Sequence, residues 1–237
     1  MESTRRGSFG KVVVLAAAFA LIPALSAFSQ SFFGKAQAFL GNPSWAFRAS
    51  VLLIPEDNGL QSDPMPVLFS PGVAAVYPLL SALSLEVSLD WYGTYYDYSD
   101  ALGRAVPAAI ENRSAFVFGT VLGAQALTRI PLPKDLSLRL FGGLSADLRL
   151  CLTADGLEGA DLSAASTATG KVASYFWGGG RWLLPVLGAG LDFPASKLFL
   201  LGLDVRVWVP AYRLWTGENL PAVEGWRFAA GLRVSIR

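Results

Sequence analysis

Along 83–92 the chain reads LSLEVSLDWY, with Leu83, Leu85, Val87, Leu89 and Trp91 on one parity and Ser84, Glu86, Ser88, Asp90 and Tyr92 on the other. Side chains of a β-strand point alternately to its two faces, so the segment predicts a strand with one apolar and one polar side. The same two-residue period recurs at 45–53, 73–79, 115–127, 136–150, 184–193, 198–209 and 226–237, giving eight strands in all. The register of 73–79 is the least defined, because Pro71 and Pro78 interrupt it. In the longest strand, 136–150, leucines alternate with Ser137, Arg139, Gly143, Ser145, Asp147 and Arg149, and Phe141 is the one large apolar residue on the polar side. No long helix is expected.

The connections alternate too. Strands two and three meet across 80–82, four and five across PLPKD, six and seven across PASK, while the others are joined through 54–72, 93–114, 151–183 and 210–225. Tight turns on one rim and long loops on the other are the form of an up-and-down meander in a bilayer. A spanning strand needs about 9–11 residues, and 83–92 supplies ten. The apolar parity carries no charge in the strands at 83–92, 136–150, 198–209 and 226–237. That purity suits lipid, where Arg or Lys at mid-bilayer costs about 2–4 kcal/mol. The fold expected is therefore all-β, an eight-stranded antiparallel up-and-down transmembrane β-barrel.

On that reading the polar parity lines the lumen: Arg48, Glu86, Asp90, Arg139, Asp147, Arg149, Asp192, Asp204, Arg206, Arg227 and Arg233. An eight-stranded barrel is only wide enough inside for side chains, so small residues and paired charges suit it. Aromatics fall near strand ends and are expected to form two interfacial girdles, with Trp45, Phe193 and Phe199 at the turn rim and Trp91, Phe116, Phe118, Trp226 and Phe228 at the loop rim. On the same logic Val87→Arg, on the lipid face, is expected to do more harm than Glu86→Gln.

Composition narrows the chemistry. The 237 residues include no histidine, which removes Ser-His-Asp and Cys-His catalysis and histidine-bound metals together. Cys151 is the only cysteine, so no intramolecular disulfide can form, and the simplest role for it is packing. Arg5, Arg6 and Lys11 precede VVVLAAAFALIPALSA, the basic, apolar and small order of a secretory signal peptide at 1–27. A linker at 28–44 and the barrel at 45–237 would follow. Without the leader the chain keeps 16 basic and 17 acidic residues, which gives no electrostatic case for nucleic acid.

The eight alternating strands, the three tight turns, the four long loops and the closing WRFAAGLRVSIR resemble the small eight-stranded outer-membrane barrels of the OmpA, OmpX and OmpW type. The likeness covers 45–237 and rests on architecture rather than on a motif. One departure is the C-terminus, Ile236-Arg237, where that family commonly ends on an aromatic read by the assembly machinery. The resemblance implies a bacterial outer membrane, its lipid and the barrel-assembly machinery as partners, and no cofactor. Enzymatic members of such families rely on a catalytic histidine, absent here, and Asp90, Asp97 and Asp100 have a simpler role as solvated carboxylates.

Three functions compete. The first is a narrow, porin-like channel for small solutes, with YYDYSD and YFWGGGRW building an aromatic upper funnel. The second is a non-conducting surface protein whose loops, such as ADGLEGADLSAASTATG at 154–170, meet host ligands. The third is a secreted, soluble lipocalin-like lipid binder, in which the strands would be turned inside out.

Overall fold

A computed structural model describes residues 42–56, 67–108, 115–153, 162–217 and 223–236. Among the described residues nine strands form: β1 (Ser44–Leu53), β2 (Val67–Pro78), β3 (Leu83–Ser99), β4 (Arg104–Pro107), β5 (Ala115–Pro131), β6 (Ser137–Thr153), β7 (Leu183–Pro194), β8 (Phe199–Trp208) and β9 (Arg227–Ile236). Helix α1 covers Leu162–Trp177 and a one-turn helix, α2, covers Arg213–Thr216. All pairings are antiparallel, and each of eight strands pairs with its neighbour in sequence. Pairing of β9 with β1 closes the ring, so the described strands make a closed eight-stranded barrel. The short β4 lies outside that count and pairs only with the far end of β3.

The alternation sets which side faces in. Phe47, Leu144, Leu187, Leu203, Val205 and Leu232 are all more than half exposed on the outer wall, while Arg139 and Glu86 are at 0% inside. A soluble barrel would have the reverse. The ten residues of β9 make about 33 Å of strand, which at a tilt of about 40° crosses the ~25 Å apolar band of a membrane barrel. The fold is that of a transmembrane barrel, and the soluble lipocalin reading does not survive an interior filled with charge.

Three features differ from the sequence expectation. First, β2 starts six residues earlier than 73 and contains Pro71. Pro71 pairs with Ala49 on β1, but the β2–β3 ladder begins only at Gly72↔Asp90, so the missing N–H falls where no β3 partner is opposite. Second, the segment at 93–114 is partly strand, because β3 continues to Ser99 and turns back into β4. Third, a sixteen-residue helix occupies a stretch expected to be loop. Leu162–Trp177 is rich in Ser, Ala, Thr and Gly, and only Val172 and Phe176 among its described side chains are large, apolar and buried. That face is apolar enough to dock and too sparse to show a helical period beforehand.

The rim is uneven. β6 pairs with β7 only up to Ala146↔Leu183, so its last residues rise beyond β7 alongside β3, β4 and β5. Helix α1 packs against the inner face of that tall wall, with Val172 and Phe176 against Tyr96, Ala105, Ala115 and Val117. It sits over the mouth of the barrel on the loop side. At the opposite rim the β5–β6 turn places Lys134 and Asp135 in succession in the left-handed region, at φ 63° and 58°.

Candidate functional site

All eleven residues expected on the polar face are buried inside the barrel. They fall into two groups, because strand registers put them at different heights. The lower group is a continuous ion-pair network. Glu86 on β3 receives Arg48 Nη1 at 2.9 Å and Arg233 Nη1 at 2.6 Å, and Arg206 Nη2 lies 3.5 Å away. Asp90 receives Arg48 through Nε at 3.1 Å and Nη2 at 2.6 Å, the two-point geometry to which a guanidinium is suited, and Arg206 Nη1 at 3.3 Å. Arg206 continues to Asp204 at 3.2 Å, Asp204 takes Arg139 in turn, and Arg139 Nε closes on Asp192 at 2.7 Å. Four arginines meet four carboxylates.

Glycines leave room for these long side chains. A Cβ at Gly190 would lie on Asp204 and within 2.6 Å of Arg139 Nη2. The exceptional Phe141 also points inward, with the Arg206 guanidinium 5.3 Å from its ring centre. Its odd parity in the sequence is thus a cation–π contact within the network.

Above the network lies an apolar plate. Leu52 and Ile54 from the β1 end, Tyr92, Val121, Leu184, Val186, Trp208 and Ala229 form one buried cluster with contributions from six strands, and Tyr212 joins it from above. Trp208 Nε1 donates to Ser145 Oγ at 3.2 Å, over the intervening β7. Trp208 and Tyr92 lie on the polar parity of their strands, so their inward direction was available from the sequence. What the sequence did not offer is that they meet.

The upper group sits on that plate, under α1. Asp147 accepts from Tyr92 Oη at 3.0 Å and Arg149 Nε at 2.5 Å, and Arg227 Nη1 is 2.6 Å from it. The Arg149 guanidinium lies 3.8 Å from the centre of the Phe176 ring, brought there by the helix. Four further charged residues come from loops and the short β4. Glu56 accepts from Tyr96 Oη at 2.9 Å, Arg104 Nη1 is 3.2 Å from Glu224 Oε1, and Arg181 donates to the Tyr175 and Gly178 carbonyls. None of these four was anticipated, since they lie outside the alternating segments that marked the lumen. Burial raises the Glu56 carboxyl above its ordinary range, against the opposing pull of Arg149 and the Tyr96 hydrogen bond. Burial likewise raises the Tyr175 and Tyr212 hydroxyls, which stay neutral donors.

The aromatics expected at the rims lie as follows. Trp45, Phe118, Phe199 and Phe228 are exposed on the outer wall, and Trp91, Phe116, Phe193 and Trp226 are partly covered. Trp226 stacks on Phe228 with ring centres 6.2 Å apart, and Tyr95 packs on Phe116 at 5.3 Å. Tyr175, Phe176 and Trp182 do not build an open funnel: Phe176 is buried under the helix and Tyr175 carries the Arg181 guanidinium at 4.1 Å. Cys151 is half-buried on β6 beside the same cluster. Among the described residues no group of three or more Cys, Asp or Glu is placed to hold a metal ion. The segments 1–41 and 154–161, which include the leader and half of the expected display loop, lie outside the described residues.

Leucines outside, arginines inside and a closed eight-strand ring define a small transmembrane β-barrel. Solved structures similar to this chain are of that class. Neisserial surface protein A matches with 14% identity and a TM-score of 0.46, over 82% of this chain and 96% of its own. The N-terminal β-barrel domain of Pseudomonas aeruginosa OprF matches with 13% identity and a TM-score of 0.40, over 81% and 96%. Ail, the attachment invasion locus protein of Yersinia pestis, matches with 11% identity and a TM-score of 0.40, over 83% and 97%. No protein-family model matches the chain, and no curated protein does.

Proposed function

We propose that the chain is an integral protein of the bacterial outer membrane, exported by the segment 1–27, whose barrel does not conduct. It acts as a structural and surface-displaying scaffold through the wall and helix raised on its loop side. The observation that carries this reading is the filled lumen. An ion moving through would have to part the Arg48–Glu86–Arg233 junction, where the groups are at 0–1% side-chain exposure. It would then have to cross the apolar plate around Trp208. Separating buried ion pairs costs several kcal/mol for each partner left alone, and the plate offers an ion nothing in return.

The porin-like reading requires a wetted path past both obstacles, and the aromatic funnel that favoured it is instead helix and packed ring. Its partners on this view are outer-membrane lipid along the outer wall, the barrel-assembly machinery during insertion, and ligands at the external face. No cofactor is needed. Absence of histidine also supports a non-enzymatic role.

Planar-bilayer recording of the refolded chain tests the proposal. Silence is expected from the wild type, with openings appearing when Trp208 and Tyr92 are both replaced by Ala in a protein that still folds. Regular unitary openings of the wild type would overturn it.

A further inference from the structure

The outer wall is not evenly ridged. Toward the loop side of β1, β9, β8 and β7, two rows of outward side chains run across the strands. Leu53, Phe228, Val207 and Leu187 stand opposite one another in one row, and Val51, Ala230, Val205 and Ala189 in the next. The row below carries Leu232 and Leu203, which are 61% and 52% exposed. Alanines at 189 and 230 thus leave a trough between two ridges of larger apolar groups. Three inter-strand steps of about 4.8 Å make it about 14 Å long. Its volume is about 590 Å³, within the ~300–1,000 Å³ of small-molecule sites. Every side chain that faces out along it is apolar.

Where the trough lies decides what fills it. It is continuous with the wall that meets lipid, so hydrocarbon is its immediate surroundings. Lipid tails are as apolar as leucine, so packing and not removal from water decides what stays there. A flexible, unbranched chain can follow a trough walled by staggered Val, Leu and Phe. Beyond the loop-side end of β8, helix α2 leaves Leu214 88% and Trp215 57% exposed. The ten residues of β8 already cross the apolar band, so this pair stands at headgroup level, where Trp is favoured. Trp215 is fixed there by donating from Nε1 to the Gly179 carbonyl at 2.8 Å. Trp226, stacked on Phe228, marks the same level at the start of β9. We propose that this face is a fixed lipid site. One acyl chain of a lipid in the loop-side leaflet lies in the Ala189–Ala230 trough, with Leu214 and Trp215 at the level of its headgroup. The site does not depend on whether the barrel conducts.

The test uses the full chain refolded into dimyristoylphosphatidylcholine vesicles that carry a small share of phosphatidylcholine with a photoactivatable diazirine on one acyl chain. Crosslinked residues are mapped by peptide mass spectrometry. Crosslinks should concentrate on Val51, Val205 and Ala230 and be sparse at Leu122 and Leu144, which are comparably exposed on β5 and β6. Replacing both Ala189 and Ala230 by Leu fills the trough and should bring its yield down to that of Leu122 and Leu144. Ala124→Leu, on the lipid face of β5, should leave the trough yield unchanged. Heat-modifiable migration on gels reports whether each variant is folded, and if the double variant is not, Ala230→Val alone should give a partial loss. An even yield over all lipid-facing strands, or a trough yield unchanged by filling, would overturn the proposal. So would a wild-type dimer in native mass spectrometry that the filled variant loses, since the occupant would then be a second copy.

Discussion

Arg233 on β9 reaches across the lumen to Glu86 on β3, Nη1 to Oε2 at 2.6 Å, and joins two strands that are not neighbours in the barrel. Glu86 is at the same time within 3.5 Å of Arg48 and Arg206. One carboxylate therefore holds three guanidinium groups from three strands. This geometry leads to a different expectation from the one read from the sequence. Glu86→Gln leaves those arginines short of a counter-charge, a loss of about 3–5 kcal/mol for a broken buried pair. Val87→Arg puts a charge in lipid for about 2–4 kcal/mol. The two variants should do comparable harm, measured as the urea midpoint for refolding into liposomes. A near-silent Glu86→Gln would mean that the network contributes little.

Gly119 sits opposite Tyr92 in the β3–β5 ladder, and a Cβ there would overlap the Tyr92 ring. Gly119→Ala should displace the ring from Asp147 and from the plate, and lower stability by about 1–3 kcal/mol. Denaturant titration in detergent gives the number, and a Tyr92→Ala background should absorb most of the effect.

Glu56 gives a pH dependence of defined sign. Its carboxyl is raised above the ordinary 4.5, so the folded chain keeps a proton that the unfolded chain releases. The stability it contributes is full below about pH 4.5 and falls as pH rises from there through the folded-state value. Glu56→Gln should flatten that part of the stability–pH curve and leave the acid side unchanged. The measurement is a series of urea titrations from pH 4 to about pH 8.

Lys134 and Asp135 both hold positive φ in the β5–β6 turn without being glycine. Left-handed backbone costs an ordinary L-residue about 1–2 kcal/mol, and glycine adopts it freely at some entropic cost. Lys134→Gly should stabilise the barrel by about 1 kcal/mol or less, read as a shift in the urea midpoint with an unchanged slope.

Most of the barrel wall was legible because lipid on one side and a crowded lumen on the other enforce a strict period of two. Even Phe141, the exception, was visible as one before Arg206 explained it. The cap was not legible. Helix α1 owes its place to Val172 and Phe176 meeting Tyr96 and Val117, contacts that exist only once β3 and β5 have risen past β7. Glu56, Arg104, Arg181 and Glu224 lie in connections or in a four-residue strand, where no periodicity points a side chain anywhere. Their common destination is a product of closure, not of local pattern.

The apolar plate has a consequence for how this molecule can change. Beneath it Glu86 holds Arg48, Arg206 and Arg233 and Asp204 holds Arg139 and Arg206, and above it Asp147 holds Tyr92, Arg149 and Arg227. Glu86 pairs with Arg48, Arg206 and Arg233 and Arg227 with Asp147, so Glu86→Gln and Arg227→Gln should add to within about 0.5 kcal/mol, unlike two changes within either group. The barrel is thus modular along its axis: a foundation that can be left alone, and an upper storey free to be rebuilt for a new task.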